Sequence, residues 1–255
     1  MVELKTAPEI EKMRAAGQVV ARALAAVRKA AHVGVALADL DRVAREVLRA
    51  AGATSPFLGY RPSFAPVPFP AVVCASVNDA IVHGVPDDYR LCDGDLVSID
   101  CGAKLGGWAG DAAVSFTVGR ARPEDLRLIE TSEAALAAGI AAAVPGNRIG
   151  DIAHAVGTVC RSAGYGVPDG FGGHGIGRNM HEDPGVPNEG APGRGMKLRP
   201  GMVLAIEPML IAGGTDDYRC DGDGWTLRTV DGTRAAHSEH TVAITARGPR
   251  ILTAL

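Results

Sequence analysis

Leu91-Cys-Asp-Gly-Asp-Leu-Val-Ser-Ile-Asp100 and Leu198-Arg-Pro-Gly-Met-Val-Leu-Ala-Ile-Glu207 follow one pattern, in which a Gly turn leads into a short apolar run that ends in an acid. An apolar run bounded by a Gly turn is typical of a buried strand. An ionised carboxylate at the end of such a strand is costly unless it is paired or binds a metal. Two such ends, brought together by a repeat, predict a metal site at a pseudo-twofold axis.

The repeat continues upstream of both copies. Gly34-Val-Ala-Leu-Ala-Asp-Leu40 matches Gly146-Asn-Arg-Ile-Gly-Asp-Ile152, and Ile81-Val-His-Gly-Val85 weakly matches Gly173-His-Gly-Ile176. Because the three matches occur in the same order, we predict an internal duplication. The chain is therefore expected to be a single domain, 1–255, with halves at about 1–120 and 121–255.

The predicted elements also come in the same order in both halves. Apolar residues at helical spacing predict a helix that begins after Thr6, a second over about 38–51, and two more over about 123–143 and 149–163. Strand-like runs follow near 71–77, 94–101 and 109–118, and again near 201–211, 225–230 and 239–246. Two helices followed by strands in each half predict an α+β fold, with helices covering one face of an antiparallel sheet.

Composition excludes several classes of protein. A net charge of −3 argues against a nucleic-acid-binding surface. The five cysteines are odd in number and form no CxxC pair, which favours free thiols in a reducing compartment. The first residues lack the apolar segment of a signal peptide, and no run is long and apolar enough to span a bilayer. We therefore expect a cytoplasmic protein that binds neither nucleic acid nor membrane.

Further acids and one histidine extend the predicted metal site. Asp100 and Asp111 flank a plausible hairpin turn, and a turn centred on Leu105-Gly106 would place them opposite each other on one face. His174 lies between glycines, which leave its imidazole unshielded, and Glu239 begins an apolar run. Together with Glu207, these residues form an oxygen-rich set with one nitrogen, which suits two divalent ions bridged by carboxylates and water.

Two more histidines are candidates for proton transfer rather than for metal binding. Imidazoles beside a dinuclear site can move protons or hold a peptide carbonyl, and His83 and His181 are the candidates for this role. The alternative for each is a loop histidine held by ordinary hydrogen bonds.

The chain resembles the type I methionine aminopeptidases, which share the pita-bread fold with prolidases, aminopeptidase P and creatinases. The resemblance covers essentially the whole chain. It is carried by Ser76-Val-Asn-Asp-Ala-Ile-Val-His83-Gly, Val97-Ser-Ile-Asp100, Gly110-Asp111, Gly173-His174-Gly-Ile-Gly177, Ile206-Glu207-Pro208 and Glu239-His240-Thr.

The resemblance implies a role for each of these side chains. Five residues would bind two metal ions, with Asp111 and Glu239 bridging both. Glu207 would also accept a proton, and His83 and His181 would contact the substrate and assist proton transfer. The five implied metal ligands are Asp100, Asp111, His174, Glu207 and Glu239.

Specificity for methionine needs a narrow apolar pocket. By position, its walls are expected to include Tyr60, Phe69, Cys74 and Trp225, since aromatic rings and a thiol suit a flexible thioether. Residues 55–70, with five prolines, are predicted to form an ordered aromatic loop. Within it, Arg61–Pro68 looks like an insertion relative to the family, and its effect on specificity is left open.

The expected function is dinuclear metal-dependent removal of the N-terminal methionine from nascent proteins and peptides when the next residue is small. The ions would be Co, Mn, Fe or Zn, the substrate would be an N-terminal peptide met near the ribosome, and a monomer is expected. Two alternatives stay open: a proline-directed peptidase of the same fold, of the aminopeptidase P or prolidase type, and a non-catalytic binding protein on that fold.

Overall fold

The computed structural model describes residues 2–63 and 65–255, and it has the predicted α+β architecture. Within these residues the helices are α1 (Ala7–Ala30), α2 (Leu37–Ala50), α3 (Pro123–Ala142) and α4 (Ile149–Ser162). The strands are β1 (Val73–Val77), β2 (Ala80–Val82), β3 (Leu96–Leu105), β4 (Trp108–Thr117), β5 (Gly172–Gly175), β6 (Glu182–Pro187), β7 (Val203–Ile206), β8 (Met209–Ile211), β9 (Tyr218–Cys220), β10 (Leu227–Thr229), β11 (Ala235–His237), β12 (Glu239–Thr245) and β13 (Gly248–Ile251).

The main sheet is antiparallel, with the strand order β1-β3-β4-β12-β7-β5-β6 and with β13 paired to β12. Strands from the first half of the sequence occupy one side of this sheet, and strands from the second half occupy the other. The two groups meet where β4 pairs with β12, and there Glu239 lies opposite Ala113. Two small sheets, β2-β10-β9 and β11-β8, lie beside the main one.

Helices cover the face of the sheet that the apolar pattern predicts. Val97 and Ile99 of β3 belong to the core beneath α1 and α2. Leu204 and Ile206 of β7 belong to a second core beneath α3 and α4. Side chains alternate along a strand, so the acids that follow these apolar residues lie on the opposite face.

Three sequence predictions need correction. The turn between β3 and β4 is Gly106-Gly107, both with positive φ, so Leu105 pairs with Trp108. Asp100 therefore pairs with Ala113 and Asp111 with Gly102, so the two acids are diagonal rather than opposite. The run near 201–211 is two strands, which separate at Glu207-Pro208.

The third correction concerns strands that the pattern missed. The Gly-rich segments that form β5 and β6 lack the apolar alternation of a strand, yet β5 pairs with both β6 and β7. The predicted loop over 55–70 contains no helix or strand among its described residues, and its Phe64 lies outside them. No helix within 2–63 or 65–255 is both long and apolar enough to cross a membrane.

Candidate metal centre and substrate cavity

The main sheet brings the five predicted metal ligands to one place. Asp100 in β3 and Glu239 in β12 are both cross-strand partners of Ala113 in β4. His174 in β5 lies opposite Ala205 in β7, two residues before Glu207. Neighbouring positions on one face of a sheet lie within side-chain reach. The strand pairing between the two halves therefore brings the acids of both halves together.

Distances between the donor atoms are short enough for shared cations. His174 Nε2 lies 3.6 Å from Glu207 Oε1 and 4.0 Å from Asp111 Oδ2. The ligand atoms of Asp111, His174 and Glu239 all lie within 4.8 Å of one another. His174 Nδ1 lies 2.9 Å from the Gly175 carbonyl oxygen. Donation from Nδ1 to this carbonyl leaves the Nε2 lone pair facing the carboxylates.

Several oxygens in the cluster lack any partner. Asp100 Oδ1, Asp111 Oδ1 and Glu239 Oε1 are buried and accept no hydrogen bond. A buried carboxylate oxygen without a donor is strongly unfavourable unless a proton or a cation faces it. The donor set is rich in oxygen and includes an imidazole, so it fits Mn, Fe, Co or Zn.

The crowding of acids shifts their ionisation. Burial, and then the nearby Glu207 carboxylate, raise the pKa of Asp100 from 3.8 to about 8. Burial and neighbouring carboxylates also hold the pKa values of Asp111, Glu207 and Glu239 well above the ordinary range. Without a cation, the cluster therefore retains protons at neutral pH.

Two glycines allow the strand that carries His174 to lie very close to its neighbouring chain segments. A Cβ atom on Gly173 would lie 2.1 Å from the Ala205 carbonyl oxygen, and one on Gly175 would lie 2.2 Å from that of Asp183. Both contacts are too short for any side chain. The glycines therefore allow β5 to lie close to its neighbours and carry the imidazole to the carboxylates.

The four carboxylates line a cavity of about 240 Å³. The cavity also touches each residue that the sequence analysis assigned to substrate binding. These residues are Tyr60, Phe69, Cys74, His83, His181 and Trp225.

Aromatic rings build the wall of the cavity. Trp225 meets Phe69 edge to face, with ring centroids 5.1 Å apart, and its centroid lies 6.4 Å from that of Tyr60. Trp225 Nε1 donates to the Val67 carbonyl oxygen at 2.9 Å. The Pro-rich segment that looked like an insertion therefore holds the indole in place.

Two histidines line the same cavity as the aromatic rings and the carboxylates. His181 stacks on Tyr60 at 5.3 Å, and its ring centroid is 4.3 Å from that of His174. His83 has a φ of +59°, in the left-handed region that few non-Gly residues adopt. Burial lowers the pKa of His83 to about 4, and partial desolvation lowers that of His181. Both rings are neutral at physiological pH.

Sequence analysis missed four further residues at this site. Phe57, Phe171 and Met209 line the cavity. His237 lies 3.5 Å from Glu207, measured from Nε2 to Oε2, and its side chain is 2% exposed. A signal for His237 was present, because it precedes Glu239 by two positions in an extended run, and such residues share a face.

Acids and imidazoles that line an apolar cavity together suit metal-assisted hydrolysis. The profile of the metallopeptidase family M24 matches residues 11–246. Methionine aminopeptidase 1 of Mycobacterium tuberculosis is 53% identical over 260 residues, which cover 99% of this chain and 95% of that protein. The methionine aminopeptidase of Aquifex aeolicus is 45% identical over 257 residues, which cover 100% of this chain and 99% of the relative.

Solved structures agree with these relatives. A methionine aminopeptidase from Thermotoga maritima matches with a TM-score of 0.95 and 41% identity, over 100% of both chains. The chain belongs to the metallopeptidase family M24 and, within it, to the methionine aminopeptidases. Its fold is accordingly the pita-bread fold that the motifs implied.

The proline-directed relatives share less. A prolidase from Pyrococcus furiosus matches with a TM-score of 0.78 at 23% identity, over 99% of this chain and 65% of the prolidase. That likeness concerns the fold alone.

Proposed function

We propose that the protein is a two-metal aminopeptidase that removes the N-terminal methionine of nascent proteins and peptides when the next residue is small. One observation carries the proposal: the aromatic side chains and the carboxylate and imidazole cluster line the same cavity. A methionine side chain in the cavity would bring its own peptide bond to that cluster. The 53% identity to a methionine aminopeptidase supports the same assignment.

Five residues would hold the two ions: Asp100, Asp111, His174, Glu207 and Glu239, with Asp111 and Glu239 shared. The unpartnered oxygens of Asp100, Asp111 and Glu239 support this assignment, because a cation would supply the missing partner. Bound divalent ions would supply a Lewis acid for the scissile carbonyl and would activate a water molecule.

Glu207 is the proposed proton acceptor. Burial and the Asp111 charge raise the pKa of Glu207 in the metal-free cluster, and bound cations would offset this rise, so the proposed role depends on the position of the carboxylate. Glu207 belongs to the proposed metal-ligand cluster, and the attacking water would bind at the same cluster. A base within hydrogen-bond reach of the reacting atom can contribute about 10²–10⁴-fold to the rate.

His83 and His181 are proposed to handle the peptide itself. Both are neutral, so each can donate one N–H without carrying a charge into the cavity. His181, whose ring lies beside that of His174, would donate to the scissile carbonyl oxygen. His83, whose ring lies 6.3 Å from that of Trp225, would face the leaving amide nitrogen.

Selectivity for methionine would come from Tyr60, Phe69, Cys74 and Trp225. Burial raises the pKa of the Cys74 thiol, which keeps the wall uncharged. An apolar cavity with a thiol and aromatic edges favours a thioether over a polar side chain. Crowding near the metal ligands would require the substrate residue that follows the N-terminal methionine to be small.

The proposed setting is the cytoplasm, with a monomer acting on N-terminal peptides in transient proximity to the ribosome. The five cysteines are free, which fits a reducing compartment.

A panel of three tripeptides tests the proposal. The cobalt-loaded protein should release methionine from Met-Ala-Ser about 100-fold faster than from Met-Leu-Ser, and it should not cleave Ala-Pro-Ser. Preferential cleavage of Ala-Pro-Ser would establish the proline-directed alternative instead. A folded, metal-binding protein that cleaves none of them would favour the binding-protein alternative.

A further inference from the structure

The backbone of His237 is held by strand pairing and hydrogen bonds beside the proposed metal ligands. His237 ends β11, where it pairs with Met209 of β8. Its backbone N–H donates to Ser115 Oγ at 3.0 Å, and its carbonyl accepts from the same hydroxyl at 2.7 Å. These bonds fix residue 237 to β4, so the position of its imidazole is set by paired strands.

The imidazole has one nitrogen without a partner. Nε2 of His237 is buried and makes no hydrogen bond. It faces Glu207 Oε2 at 3.5 Å, and a ring nitrogen of His237 also lies within 4.8 Å of a Glu239 carboxylate oxygen. A buried ring nitrogen that faces a carboxylate is placed to complete a hydrogen bond with it.

Glu207 therefore lies between two imidazoles. Its Oε1 faces His174 Nε2 at 3.6 Å, and its Oε2 faces His237 Nε2 at 3.5 Å. The ligand atoms of Glu207, His237 and Glu239 lie within 4.8 Å of one another, so His237 borders the acid cluster itself. A carboxylate that binds a cation through one oxygen commonly has its other oxygen held by a hydrogen-bond donor.

We propose that His237 is a positioning residue for Glu207, which it holds by donating Nε2–H to Oε2. The inference rests on the proposed function, because it gives a task to the ligand and base of that mechanism. Shortening the distance between His237 Nε2 and Glu207 Oε2 by about 0.3–0.8 Å brings these two atoms into hydrogen-bond range. The bond keeps Oε1 directed at the cation and limits rotation of the carboxylate.

Matched substitutions separate donation from simple space-filling. His237→Gln retains an N–H donor, whereas His237→Leu and His237→Phe remove it with different shapes. His240→Gln is the control, because His240 follows Glu239 but its Nδ1 bonds Thr253 Oγ1. Thermal melts identify the variants that fold, and having two non-donor variants protects the test from the loss of one.

Two readouts are needed, cobalt affinity by calorimetry and the steady-state constants for Met-Ala-Ser. The non-donor variants should bind Co²⁺ about 10-fold more weakly, and their kcat should fall about 10–100-fold with KM changed less than about threefold. His237→Gln should recover both values to within about threefold of the wild type. His240→Gln should match the wild type in cobalt affinity.

Two outcomes would overturn the proposal. Non-donor variants with wild-type affinity and kcat would show that the imidazole only fills space. A His237→Gln variant as weak as His237→Leu, with an altered visible spectrum of bound Co²⁺, would make the imidazole a direct ligand. If the wild type releases no methionine, the proposed function fails, while the order of cobalt affinities still decides the role of His237.

Discussion

The metal-stripped protein should lose stability as the pH rises from 7 to 8. The pKa of Asp100 is raised from 3.8 to about 8 by burial and by Glu207. The folded state therefore keeps a proton that the unfolded chain has already lost at pH 7. Because the folded state binds more protons, stability falls with rising pH across this window. Asp111, Glu207 and Glu239 have pKa values raised in the same direction.

The size of the loss follows from the proton count. Each extra proton in the folded state costs about 1.4 kcal/mol per pH unit. With a pKa of about 8, Asp100 contributes on the order of 1 kcal/mol between pH 7 and 8, and one further protonated carboxyl brings the total to on the order of 2 kcal/mol. For a protein of this length that lowers Tm by roughly 4–8 °C.

Thermal melts in excess chelator over pH 7–8 measure the effect. Histidines titrate mainly below this window and cysteine thiols mainly above it, so the carboxyl cluster dominates. Asp100→Asn, stripped in the same way, is the control and should show a slope smaller by about half. A stripped wild type whose Tm stays constant or rises over pH 7–8 would refute the reasoning.

Three further predictions concern the aromatic wall of the cavity, the ion pair between Lys5 and Glu182, and His181 as a proposed proton-transfer residue. Trp225→Ala should lower stability by about 3–5 kcal/mol and reduce the kcat/KM preference for Met-Ala-Ser over Ala-Ala-Ser, with cobalt affinity unchanged; unchanged selectivity would remove Trp225 from the pocket. Lys5 Nζ binds Glu182 at 2.7 Å with its side chain 2% exposed, so Lys5→Met should destabilise the fold by about 3 kcal/mol in urea titrations, and the double variant with Glu182→Gln should recover part of this loss. His181→Ala should lower kcat about 100-fold while leaving cobalt stoichiometry at that of the wild type; an unaltered kcat would exclude His181 from proton transfer.

Much of the fold could be predicted because its signals are local. Helix boundaries agree to within one or two residues, since apolar spacing and glycines such as Gly52 and Gly164 mark them. The repeated runs that end in Asp100 and Glu207 predicted which strand faces are buried. These runs contain enough β-branched and apolar residues for the pattern to be clear.

Register and glycine-rich strands could not be predicted in the same way. The turn at Gly106-Gly107 differs by one position from the expected Leu105-Gly106, and this shift makes Asp100 and Asp111 diagonal rather than opposite. β5 has no apolar alternation, because its glycines serve the close packing of strands. Such contacts depend on distant chain segments, which no local pattern encodes.

The residues of the candidate site also fall into those that local sequence predicts and those that it does not. The acids and His174 stand at the ends of recognisable motifs, so the sequence analysis could name them. Phe171 and Met209 reach the cavity only through tertiary packing, and nothing in their local sequence marks them. His237 is intermediate, since its spacing from Glu239 carried a signal that pointed to the same face.

Metal-dependent release of methionine is the most direct measurement of the central claim. The protein is stripped with chelator, its folding is checked, and free methionine released from Met-Ala-Ser is followed as single divalent metals are added back. The account predicts no release from the stripped protein and restoration by at least one of Mn, Fe, Co or Zn. Full release by the folded, stripped protein, or no release with any metal, would contradict it.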